Sequence, residues 1–144
     1  TNATQYDTQN ELQSICDSIA KGLQDGIRRE FCPDCGSQDW DNDCCEDYKL
    51  YQGDGTFIVE MQSGYDYLND ALDIQYIVNS DRTYSAARIL VACGGPNIWI
   101  DTSRQEVQGY WASDKAIAHY YTDKMDIDGA CQEFWDSSKF WECQ

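Results

Sequence analysis

The sequence predicts an α+β fold: an antiparallel β-meander of about five strands flanked by an N-terminal and a C-terminal helix, with a Cys-rich loop inserted after the first helix. Three observations carry this. Arg88 to Thr102 reads as two β-prone apolar runs hinged on Gly94-Gly95-Pro96. The segments around it alternate apolar and polar residues and are joined by short polar turns. Apolar residues recurring every three or four positions are confined to the two ends of the chain, where helices are therefore expected.

The first helix is expected over residues 7–31. Thr8 and Glu11 have capping-box spacing, and Leu12, Ile15, Cys16, Ile19, Leu23 and Ile27 mark one apolar stripe. Gly22 and Gly26 weaken it modestly, while Lys21, Arg28 and Arg29 place positive charge toward its negative end. Residues 32–47 form the loop, which opens on Cys32-Pro33-Asp34-Cys35-Gly36 and continues to Cys44-Cys45. A C-P-x-C-G turn aims two thiolates at one point, as a tetrahedral zinc site requires. The vicinal pair Cys44 and Cys45 is a weaker second half, since neighbouring residues of an extended chain point in different directions. The expectation is a structural Zn²⁺ held by Cys32, Cys35, Cys44 and Cys45, or by three of them with another ligand; free thiols and local disulfides are the alternatives. Four sulfur ligands would close such a site to catalysis.

The sheet is expected within residues 48–121. Lys49 to Gln52 and Thr56 to Gln62 flank the hairpin turn Gly53-Asp54-Gly55, with Phe57, Val59 and Met61 on one face. Ser63 to Asp70 connects, with spacing suited to a helical turn. Leu72, Ile74, Tyr76 and Val78 then alternate with polar residues, and Tyr84 to Cys93 pairs with Pro96 to Thr102. The run Ile89 to Cys93 is apolar throughout, as a strand covered on both faces would be. Glu106 to Trp111 and a short strand within Lys115 to Tyr121 complete the meander. The last helix is expected over 123–141, with Ile127, Cys131, Phe134 and Trp135 on one side. Two amphipathic helices need an apolar surface, so both should cover the same sheet face. At 144 residues, with no linker and no repeat, the chain reads as a single domain.

Composition narrows function. Twenty-six acidic against 10 basic residues give a formal charge of −16, yet 42% of residues are hydrophobic, which argues for a folded acidic protein rather than a disordered tail. Like charges on a small globule repel, so a function is expected to reward the excess. There is no apolar run long enough for a membrane span and no secretory leader at Thr1-Asn2-Ala3-Thr4-Gln5, so a cytoplasmic setting is expected. His119 is the only histidine, and no cysteine or serine sits in a nucleophile context, so no enzymatic activity is expected. Gly94-Gly95 lacks the lysine and following helix of a phosphate loop. Asp39, Asp41, Asp43, Glu46 and Asp47 form a dense acidic run without the glycine and terminal glutamate of an EF-hand.

Tyr67-Leu68-Asn69-Asp70-Ala71-Leu72-Asp73-Ile74, then Ala92-Cys93-Gly94-Gly95-Pro96-Asn97-Ile98-Trp99-Ile100-Asp101-Thr102, then Gly109-Tyr110-Trp111 together resemble a group of small acidic proteins carried by phages and integrative elements. The resemblance covers about residues 65–141 and omits the cysteine loop. That group has no established activity, so the resemblance implies a mobile-element setting and carries over no catalytic residue. By analogy, small acidic proteins in that setting are often similar in role to anti-CRISPR or anti-restriction inhibitors.

Direct nucleic-acid binding needs cations, and this chain has the opposite sign. Mimicry is the natural inverse: at about one charge per 1.7 Å of duplex, sixteen charges equal roughly eight base pairs. The expected role is therefore an acidic decoy that blocks the nucleic-acid site of a basic host protein such as a CRISPR effector or restriction nuclease. Its expected contacts are Asp39, Asp41, Asp43, Glu46, Asp47, Asp66, Asp70 and Asp73, with Trp99 and Trp111 as anchors. The alternative is a zinc-stabilised adaptor that recruits a protein through an aromatic sheet face, its acidity serving solubility.

Overall fold

The computed structural model describes the backbone of residues 2–31 and 58–138 and the side chains of 8–28 and 60–138. In order, the elements are α1 (Asn2–Asp25), β1 (Arg28–Phe31), β2 (Ile58–Met61), α2 (Gly64–Asn69), β3 (Asp73–Val78), β4 (Tyr84–Ala92), β5 (Asn97–Asp101), β6 (Glu106–Trp111), β7 (Asp114–His119) and α3 (Ile127–Ser137). The fold is α+β, with a five-stranded antiparallel sheet of order β3-β4-β5-β6-β7 and a helix toward each end of the chain. The chain divides into two compact units, Ile27–Gln62 being one and Thr1–Gly26 with Ser63–Gln144 the other.

In the smaller unit β1 and β2 pair antiparallel, from Arg28 against Met61 to Phe31 against Ile58. This corrects two expectations. Arg28 and Arg29 belong to a strand and not to the end of the first helix, because Gly26 takes a φ of +87° and stops α1, its N–H donating to the Gly22 carbonyl at 2.8 Å. The segment ending at Met61 pairs in a two-stranded sheet and does not extend the five-stranded one. The expected hairpin around Gly53-Asp54-Gly55 and the whole cysteine loop lie outside the described residues.

The larger unit follows from strand register. Cross-strand partners share a face, so the rows Ile89, Ile100, Val107, Ala118 and Ile98, Gly109, Ala116 line one side of the sheet. Both helices cover that side, as expected. A Cβ added to Gly109 would stand 2.7 Å from Cys16 Sγ and 2.8 Å from Leu12 Cδ1, which places α1 directly on β6. On α3, Trp135 meets Tyr76 of the same face with ring centroids 5.5 Å apart, and Asp128 accepts the Tyr84 hydroxyl at 2.6 Å. Leu12, Cys16, Leu23, Ile89, Ile98, Ile100, Val107, Ile127 and Cys131 are fully buried there.

Helix ends moved in both directions from the sequence reading. α1 starts at Asn2, so Thr8 and Glu11 lie inside it; their spacing recurs within helices, and nothing before Thr8 breaks one. α3 starts at Ile127, later than residue 123, because Asp123 and Asp126 act as its caps. Asp123 accepts from Ile127 N and Asp128 N at 2.9 and 3.0 Å, and Asp126, at a φ of +58°, accepts from Gly129 N at 3.2 Å. The end of the expected helix, residues 139–141, lies outside the described residues. Among the described residues no helix is long and apolar enough to cross a membrane.

Candidate interaction surfaces

Two surfaces of the larger unit carry the chemistry. The first is an acidic end built by α2, the loop before α3, and α3 itself. Ser63 Oγ accepts from Asp66 N at 3.1 Å and caps α2, which fixes Asp66 in its first turn. Asp70 ends that helix and Asp73 opens β3, both exposed, with Asp73 on the sheet face away from the helices. α2 packs on α3, with Tyr65 edge-on to Phe134 at 5.9 Å. Between them opens a cleft of about 440 Å³ lined by Ser63, Tyr65, Asp126, Gln132, Glu133 and Asp136, among others. The described residues lining it bring three carboxylates and no lysine or arginine. A Cβ on Gly64 would meet the backbone oxygens of Asp126 and Met125 at 2.7 and 2.8 Å, so glycine is what lets α2 approach the α3 cap and form the cleft.

Carboxylates also act inward at this end. Burial pushes the Cys131 thiol up to about 12, and the Asp128 and Asp123 carboxylates add to the shift. Burial likewise raises the Tyr84 phenol, aided by its hydrogen bond to Asp128. Both groups therefore stay neutral beneath the acidic surface at ordinary pH.

The second surface is the sheet face away from the helices. Its central row runs Gln75, Arg88, Asp101, Glu106, His119 across all five strands, and the next row runs Asp73, Leu90, Trp99, Gln108, Ile117. The Arg88 guanidinium lies 4.5 Å over the Trp99 ring and donates to Gln108 Oε1 at 3.3 Å, so the half-buried tryptophan is already covered by a cation on one side. Asp101 is consumed by its own turn, accepting from Ser103 N, Ser103 Oγ and Arg104 N. His119 Nε2 stands 3.7 Å from Glu106 Oε2, beyond hydrogen-bond length.

Asp66 lies in the first turn of α2, Asp70 at its C-cap and Asp73 at the start of β3, and the structure separates the two tryptophans. Trp99 pairs with Gln108, whereas Trp111 shares the helix-side face of Gly109 two residues earlier, so strand alternation puts the expected anchors on opposite faces. Asp39, Asp41, Asp43, Glu46, Asp47 and the zinc candidates Cys32, Cys35, Cys44 and Cys45 lie outside the described residues. Among the described residues no group of three or more His, Cys, Asp or Glu side chains is arranged to hold a metal ion. Sequence reasoning passed over Asp126, Glu133 and Asp136; the three-residue spacing of Glu133 and Asp136 on the polar side of the last helix was the available signal. Arg88 could not be found that way, because its place beside Trp99 depends on a strand register that shifts between Leu90 and Ala92. No protein-family model, curated protein or solved structure matches the chain.

Proposed function

We propose that the protein is a non-enzymatic anionic binding module that occupies the cationic nucleic-acid site of a protein partner. The observation that supports it most is the cleft between α2 and α3, whose lining carries the carboxylates Asp126, Glu133 and Asp136, with Asp70 and Asp73 exposed in the segment that follows α2. Carboxylates fixed on helices and strand ends hold their spacing without further ordering at binding, as a polynucleotide backbone does. The mobile-element setting implied by the resemblance makes a CRISPR effector or a restriction enzyme, met in the host cytoplasm, the partner class.

The test is a salt titration of binding to purified enzymes of those classes, with duplex DNA as competitor. Affinity is expected to fall at least about tenfold between 50 and 300 mM NaCl, and DNA is expected to displace the protein. A variant carrying Asp70→Asn, Asp73→Asn, Glu133→Gln and Asp136→Asn should bind more weakly and with a shallower salt slope. A complex that ignores both salt and this variant would refute the acidic-decoy reading. It would favour contact through the Trp99 face, the adaptor alternative, for which about one zinc per chain by elemental analysis is the accompanying expectation.

A further inference from the structure

The two margins of the five-stranded sheet are treated differently. At β7, α1 lays Gln9 Nε2 and Gln13 Nε2 on the carbonyl oxygens of Lys115 and Ile117, each at 2.9 Å, which occupies main-chain acceptors of that edge. At the other margin β3 is the terminal strand, with no neighbour on its outer side among the described residues. Leu72, Ile77 and Val78 are 56%, 42% and 39% exposed there. The run Ile74-Gln75-Tyr76-Ile77-Val78 has none of the lysines, prolines or inward charges with which natural edges discourage pairing. One end of this edge is anionic: Asp70 and Asp73 are exposed at the approach to β3.

We propose that β3 is a docking edge for an extended cationic segment of a protein partner, which adds to the sheet as a sixth strand. Main-chain hydrogen bonds along Asp73–Val78, a length of about 20 Å, would supply affinity. On the helix-side face an apolar side chain of the segment would cover Val78, and on the other face its lysines or arginines would lie by Asp73, with their stems over Ile77. A second copy of this chain is a poorer occupant, since it would bring another formal −16 to the contact. The cationic character of the segment rests on the function proposed above; the edge that β3 presents among the described residues does not.

The probe is a capped heptapeptide of alternating lysine and valine, compared with the same peptide carrying proline at its centre, at 50 mM NaCl. Binding of the first should slow amide hydrogen exchange at β3 and not elsewhere in the sheet. The proline peptide, which lacks a donor at its centre, should bind about tenfold more weakly, as should the first peptide to an Ile77→Lys, Val78→Lys variant. Both changed positions are exposed, so that variant is expected to fold. Equal binding of the two peptides, or protection spread over the acidic end, would overturn strand addition while leaving the anionic-module reading intact. Failure of both peptides to bind at low salt would overturn both. A peptide-independent dimer with β3 protected from exchange would replace the cationic segment by a second copy.

Discussion

Gly109 is the residue on which the larger unit's layers depend. Its missing side chain is the space into which Cys16 and Leu12 of α1 fit, and Ile98 Cδ1 lies 3.2 Å from where a Cβ would be. Three buried neighbours converge there, so Gly109→Ala forces α1 away from β6 and is expected to cost about 1–3 kcal/mol in urea unfolding. Adding Cys16→Ala removes the nearest atom and should recover part of that loss, a coupling that independent sites would not show. The thiols give a second test at this scale. Burial raises Cys16 to about 11, with Asp17 adding to it, and raises Cys131 to about 12, both from an ordinary 9.0. The folded state thus holds these protons more tightly than the unfolded state. The stability they contribute is full below pH 9 and is lost as pH rises from 9 toward 11 or 12. The urea midpoint should fall across that window, and less steeply in Cys131→Ala. At pH 8 iodoacetamide should modify exposed Cys93 quickly, and Cys16 and Cys131 only at the unfolding rate.

At the level of elements, α1 does two things with two faces. Leu12, Cys16 and Leu23 are buried, while Gln9, Gln13 and Gln24 satisfy the β7 margin, Gln24 Oε1 accepting from Tyr121 N at 3.1 Å. Because that margin is solvent-exposed, water can replace a lost side chain. Gln9→Ala with Gln13→Ala is therefore expected to cost only about 1 kcal/mol in total by urea unfolding, the low end for two hydrogen bonds. Gln24→Ala should speed hydrogen exchange of the Tyr121 amide with little change in global stability. The apolar stripe of α1 was legible in the sequence because its period is local, and β4 to β7 were legible because alternation and turn residues are local too. The helix ends were not. A positive φ at Gly26 and a carboxylate bridge from Asp123 to Ile127 and Asp128 are set by backbone geometry that residue identity alone leaves open. Asp66, Asp70 and Asp73 could be singled out because they are close in sequence, whereas a cleft that tertiary packing assembles could not be read there. Asp126, Glu133 and Asp136 meet α2 only because Gly64 allows the approach.

For the whole molecule the governing quantity is charge. Among the described residues Lys21 and Asp25 form a bridge at 2.6 Å, but both are exposed, and such surface pairs contribute little. A formal −16 on a chain of 144 residues therefore works against compaction, and salt should act on folding and on binding with opposite signs. The Debye length shortens from about 30 Å at 0.01 M to about 10 Å at 0.1 M, so added salt screens repulsion between exposed charges farther apart than that. Raising NaCl from 10 to 200 mM is expected to increase the melting temperature by a few degrees, roughly the shift that 1 kcal/mol produces in a domain of this size. The same change should weaken association with a cationic partner. The variant neutralised at Asp70, Asp73, Glu133 and Asp136 separates the two effects, since it should melt higher than the parent at 10 mM NaCl, gain less from added salt, and bind less well at every ionic strength. A parent protein whose melting temperature is indifferent to salt would mean that its carboxylates are already compensated within the fold, and a surface so compensated has no net field with which to compete against a polynucleotide.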